Sequence, residues 1–60
     1  MVNLKEKREE KGFTQQSLAD ELGVWRSTIA MIENGTNKPS VPLAQKIGLI
    51  LDFNWTEFFE

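Results

Sequence analysis

Gln15-Gln16-Ser17-Leu18-Ala19-Asp20-Glu21-Leu22-Gly23-Val24-Trp25-Arg26-Ser27-Thr28-Ile29-Ala30-Met31-Ile32-Glu33-Asn34 is the stretch whose spacing decides how this chain folds. Leu18 and Leu22 stand four apart and Ile29 and Ile32 three apart, so each pair falls on one face of a helix. Val24 lies between the two pairs. Gly23 supplies the positive φ that a tight turn needs at no steric cost, and the small Ala19 lets a second helix cross closely. Apolar residues at these five positions, with Ala19 and Gly23 between them, predict two short helices around a shared core. The second helix is presented outward.

Outward from this stretch, capping residues and breakers divide the rest of the chain into helices. Asn3 with Glu6 has the form of a capping box opening a first helix, which Gly12 closes. Only Leu4 is a large apolar residue well inside that helix, so its inner face must also use the aliphatic stem of Arg8 or Lys11. Thr14 suits the N-cap of the second helix, with Phe13 and Leu18 placed as a hydrophobic staple. The third helix runs from about Arg26 to Glu33 and ends at Asn34-Gly35. The polar loop Thr36-Asn37-Lys38-Pro39 follows. Ser40 caps a fourth helix that tolerates Pro42 in its first turn and ends near Leu51. Asn54 with Glu57 repeats the capping-box form and opens a last turn or two through Phe58 and Phe59. Without sustained alternation there is no strand signal, so the expectation is an all-α domain of five helices over residues 1–60.

Composition narrows the function. The 60 residues contain no Cys and no His, which removes thiol nucleophiles, thiolate metal sites and the commonest general base and zinc ligand. Ser17, Ser27 and Ser40 therefore read as capping or surface residues. No catalysis, metal, cofactor or small-molecule substrate is expected. The longest apolar stretch, Ile47 to Leu51, is far short of the roughly 20 residues of a membrane span, and the charged amino terminus lacks a signal core. The chain reads as cytoplasmic.

The formal charge is −2 with a pI near 5.0. Residues 1–40 balance Lys5, Lys7, Arg8, Lys11, Arg26 and Lys38 against Glu6, Glu9, Glu10, Asp20, Glu21 and Glu33. The whole excess comes from Lys46 against Asp52, Glu57 and Glu60 in the remainder. Binding to a polyanion must then depend on where charges sit, because the overall field will not steer it. The last third is also unusually apolar. Ile47, Leu49, Ile50 and Leu51 surround more than half of the fourth helix, although a surface helix in so small a domain buries one stripe. The surplus predicts a homodimer anchored by Trp55 and Phe59, with Leu49 and Ile50 contributing.

With Arg8, Thr14-Gln15, Leu18-Ala19, Leu22-Gly23, Ser27-Thr28-Ile29, Ile32-Glu33-Asn34-Gly35, Pro39-Ser40, Ile47, Leu51 and Glu57-Phe58 in place, the sequence resembles the phage repressor and Cro type of helix-turn-helix, the XRE family of regulators. The resemblance covers Leu4 to Phe59. It implies a five-helix lambda-repressor-like domain whose second and third helices form the helix-turn-helix, with the third entering the major groove of double-stranded DNA. At 100° per residue, Ile29 and Ile32 point inward. Ser27, Ala30 and Met31 lie opposite, with Arg26 and Thr28 on the flanks. The family match assigns Arg26, Ser27 and Met31 to base reading. It assigns Gln15, Thr28, Asn34, Thr36, Asn37 and Lys38 to the DNA backbone. It also implies an inward ion pair between Arg8 and Glu33. Three residues depart from the family pattern: Trp25 replaces the usual Ser or Thr N-cap, Gly48 replaces Ala, and Met31 replaces a polar base reader. The expected function is a sequence-specific transcriptional regulator, a repressor acting as a dimer on a palindromic operator. The alternative is a protein-interaction module such as an antitoxin or accessory domain, which the acidic pI favours.

Overall fold

The computed structural model describes residues 2–60. Four α-helices follow one another, α1 (Leu4–Glu10), α2 (Gln15–Leu22), α3 (Arg26–Glu33) and α4 (Val41–Leu51), and a 3₁₀ turn, Trp55–Phe59, closes the chain. No strand occurs among the described residues. The all-α expectation holds, but the fifth helix is a 3₁₀ turn.

The capping residues act where the sequence puts them. Asn3 Oδ1 accepts the Glu6 N–H at 3.0 Å, and Ser40 Oγ accepts the Leu43 N–H at 3.3 Å. At α2 the box is formed by Thr14 and Ser17, each side chain accepting the other's backbone N–H at 3.0 and 2.9 Å. The expected Asn54–Glu57 box does not form. Asn54 Oδ1 instead takes the N–H and hydroxyl of Thr56 at 3.1 and 2.8 Å, while the Glu57 N–H turns back to the Asn54 carbonyl. A segment reading Trp-Thr-Glu-Phe-Phe is too short and too poor in helix formers to nucleate an α-helix, so it tightens into the 3₁₀ form.

Leu18, Ile29, Ile47 and Leu51 are the largest fully buried side chains, joined by Leu4, Ala19, Leu22, Ala44 and Phe58. Val24 and Ile32, expected in the core of the α2–α3 pair, are half-buried and pack against its edge. Gly23 takes φ +72° and makes the turn between those helices. α1 leans on the core through Leu4 and the buried Arg8, whereas Lys11 is exposed.

Gly48 has a reason that its sequence position does not disclose. After α4, Asp52 adopts a left-handed conformation (φ 59°) and folds the chain back across the helix. The returning segment passes so close that a Cβ on Gly48 would lie 2.8 Å from the Phe53 carbonyl oxygen and 2.9 Å from Trp55 Cβ. Replacing Gly by Ala inside a helix ordinarily gains about 1 kcal/mol. Here, forcing backbone apart outweighs that gain, since overpacking costs about 1–3 kcal/mol. Gly48→Ala is expected to lower the thermal midpoint by several degrees, measured by circular dichroism, where an open site would give a rise.

Candidate nucleic-acid interface

α1 has little apolar surface to hold it, and its place is fixed by charge. Arg8 Nε donates to Glu33 Oε2 at 2.6 Å, Nη2 reaches Oε1 at 3.4 Å, and Nη1 donates to the Phe13 carbonyl at 2.7 Å. Both side chains are more than nine-tenths buried, at 8% and 7% exposure. The hydrogen bond to Glu33 raises the Arg8 pKa above its ordinary value against the opposing effect of burial. Stability drawn from that shift is present at all working pH and is lost only as pH rises through the raised value. The expected Arg8–Glu33 pair is therefore present and inward-facing.

The same carboxylate carries a link that the sequence reading missed. Gln15, the first residue of α2, donates from Nε2 to Glu33 Oε1 at 3.1 Å, and its own Oε1 accepts from Arg26 Nη1 at 3.3 Å. Arg8, Glu33, Gln15 and Arg26 thus form a chain running from the core to the first residue of α3. Both Gln15 and Arg26 start their helices, and only the crossing of α2 and α3 brings those two ends together. A signal was present in the adjacency of each residue to a cap, but it needs the crossing geometry to be read.

On α3, Arg26 and Ser27 are exposed, while Thr28, Ala30 and Met31 are half-buried. Trp25, at the N-cap, makes no side-chain capping bond and is 81% exposed. The following loop is shaped by the end of α3. The N–H groups of Thr36 and Asn37 both reach the Met31 carbonyl, and Asn34 Oδ1 takes the Thr36 N–H at 2.9 Å. Asn37 Nδ2 lies 3.6 Å from Met31 Sδ, which ties the half-buried methionine to the loop. Buried Pro39 anchors the far end and leaves Lys38 exposed. Neither Arg26 nor Lys38 has an acidic partner among the described residues. The segment from Leu22 to Ile32 contains no Asp or Glu. Gln15 thus links the start of α3 to its end, where the loop begins, and the carboxylate that it touches is neutralised by Arg8.

Leu49 is 85% exposed and Phe59 42%. Ile50 is half-buried, and the half-buried Trp55 packs edge-on to Phe59 with ring centroids 6.2 Å apart. Among the described residues no helix is long and apolar enough to cross a membrane, and no three His, Cys, Asp or Glu side chains converge as metal ligands.

A family model described as helix-turn-helix matches residues 4–58. The chain belongs to the helix-turn-helix family. In the order of that family, α2, Gly23 with its neighbours, and α3 are the helix, the turn and the helix. Curated relatives are similar over nearly the same span. The uncharacterized HTH-type transcriptional regulator YqaF of Bacillus subtilis (strain 168) is 54% identical over 57 residues, 95% of this chain and 75% of that protein. Uncharacterized HTH-type transcriptional regulators of Methanothermobacter thermautotrophicus and Archaeoglobus fulgidus are 44% and 38% identical, over 80% and 97% of this chain and 70% and 83% of their own lengths. No solved structure matches the chain.

Removing one partner from a buried pair leaves the other charge without compensation and costs about 3–5 kcal/mol. For a domain of this size, Arg8→Met is expected to lower the thermal midpoint by more than about 10 °C. Glu33→Gln, which also disturbs the bond to Gln15, is expected to lower it as well. Calorimetry on each variant reads the effect, and unchanged midpoints would mean that the pair contributes nothing to the fold.

Proposed function

We propose that this protein is a sequence-specific double-stranded DNA-binding transcriptional regulator, a repressor acting as a homodimer on a palindromic operator. The observation that carries the proposal is the exposed start of α3, a helix with no acid before Glu33, held on a helix-turn-helix scaffold, with the exposed cation of Lys38 in the loop that follows the helix. The names of the relatives, all HTH-type transcriptional regulators, point the same way. In this reading α3 enters the major groove. Arg26 donates two hydrogen bonds to guanine O6 and N7, Ser27 bonds to a base edge, and Met31 packs on a thymine methyl. Gln15, Thr28, Asn34, Thr36, Asn37 and Lys38 hold the sugar-phosphate backbone and set the register without reading sequence.

Two copies place their α3 helices in successive major grooves about 34 Å apart, and occupancy of the site excludes polymerase or another regulator. Exposed Leu49 and Phe59, with Ile50 and Trp55 beside them, form the contact between copies. The work is done in the cytoplasm by a single domain over residues 1–60, with no cofactor and no reaction.

Binding to a duplex selected from a random pool, and to a mixed-sequence duplex, tests the assignment. Arg26→Ala is expected to cost about 1–3 kcal/mol on the selected duplex and much less on the mixed one, whereas Lys38→Ala weakens both alike. With roughly six phosphates neutralised per dimer, log affinity falls against log salt with a slope near −5. If neither variant changes binding, this face is not the DNA surface, and the protein-interaction reading that the acidic pI favours takes its place.

The dimer has its own measurement. Sedimentation at micromolar concentration without DNA is expected to show a dimer that Leu49→Glu converts to monomer, with the circular dichroism spectrum unchanged because Leu49 is 85% exposed. Monomer alone in the unsubstituted protein would exclude a standing dimer.

A further inference from the structure

Trp25 is costly where it stands. An N-cap side chain normally accepts a backbone N–H from the first turn of its helix, and the Trp25 backbone, at φ −74° and ψ 147°, has the extended conformation that such a cap uses. The indole makes no capping bond and leaves 81% of the residue in water, so the fold gains little from it. Its surroundings are specific. The ring forms one wall of a shallow groove completed by Gly23, Val24 and Thr28, immediately before the exposed Arg26. The indole Nε1–H, the Thr28 hydroxyl and the Arg26 guanidinium are all groups that can donate hydrogen bonds. None of the four lining residues is acidic, and the nearest acids in the sequence are the exposed Asp20 and Glu21 at the end of α2.

We propose that Trp25 is a clamp for the sugar-phosphate backbone of duplex DNA. One deoxyribose-phosphate unit lies in the groove between Trp25 and Thr28, with the indole face over the apolar side of the sugar. The indole Nε1–H and the Thr28 hydroxyl donate to the phosphate oxygens. The donors select this occupant, since the groove is lined by the indole N–H and the Thr28 hydroxyl and by no acid, and the exposed cation of Arg26 follows Trp25 in the chain. The clamp rests on the DNA-binding reading above and adds to it a contact that positions α3 without reading sequence. It also gives a physical reason for a residue that leaves α3 uncapped: the position serves the ligand at the expense of the helix.

Trp25→Ser separates these roles, because it restores a cap and removes the clamp. The thermal midpoint is expected to rise by about 4–8 °C. Affinity for both the selected and the mixed-sequence duplex is expected to fall about tenfold, in line with a hydrogen bond to a charged group. Trp25→Phe, which keeps the apolar face and loses the N–H, falls between. Trp25 and Trp55 are the two indoles of the chain, so the Trp25 signal is read as the difference between the protein and Trp25→Ser, and its quenching by acrylamide is expected to decrease when either duplex is added. Wild-type binding that Trp25→Ser leaves unchanged overturns the clamp and leaves the regulator standing. A loss confined to the selected duplex overturns it in favour of base reading. Protection of Trp25 that grows with protein concentration in the absence of DNA overturns it in favour of a contact between copies. A wild-type protein that binds neither duplex overturns the clamp together with the DNA reading.

Discussion

The Arg8–Glu33 ion pair lies where a larger protein would have apolar contacts. α1 brings to the interior one large apolar side chain, Leu4, and the buried Arg8. Two charges withdrawn from water are stable only when their hydrogen-bonding capacity is filled. Here the guanidinium divides its donors between Glu33 and the Phe13 carbonyl, and Glu33 uses its remaining capacity on Gln15. No buried side-chain polar atom among the described residues is left without a partner. The consequence is positional as well as energetic. Hydrogen bonds have direction, so the pair fixes α1, the α1–α2 connection and the end of α3 relative to one another more narrowly than nonspecific burial would.

What could be read in the sequence was local, or periodic. Leu18, Leu22 and Ile29 declare their burial by spacing alone, and Thr14, Ser40 and Gly23 declare helix ends through chemistry confined to a few residues. Misreadings arose where distant segments meet. Gly48 looks like a helix defect until Phe53 and Trp55 are seen to pass against it. Glu57 has the spacing of a capping partner, yet Asn54 closes on Thr56 because the segment is too short for an α-helix. On the candidate face, Arg26, Ser27 and Lys38 are exposed as their helical phase and loop position imply. Met31 is drawn toward Asn37 by a loop whose conformation no periodicity encodes.

The exposed large apolar residues differ in their surroundings. Leu49 and Phe59 lie on or beside the apolar C-terminal segment, which has more such surface than α4 can bury, whereas Trp25 stands alone at the start of α3 with hydrogen-bond donors around it. Single exposed apolar residues are ordinary on proteins and need no account in themselves. Trp25 differs because it occupies a position where a small polar side chain would stabilise the helix.

The negative total charge is reconciled with a polyanionic ligand by where each acid sits. Glu33 ends α3 and would project its charge toward any phosphate approaching the α3–α4 loop. Buried against Arg8, it contributes no net charge to that side, and its second oxygen orients the Gln15 amide so that the carbonyl faces Arg26. The other acids, among them the exposed Asp20 and Glu21 of α2, act through water and salt that screen them over about 8–10 Å. The local field at the start of α3 therefore depends on Arg26, the helix end and the neighbouring side chains of α2 more than on the sum over the chain. The pair that holds the fold together also keeps the carboxylate that touches Gln15 from opposing the ligand.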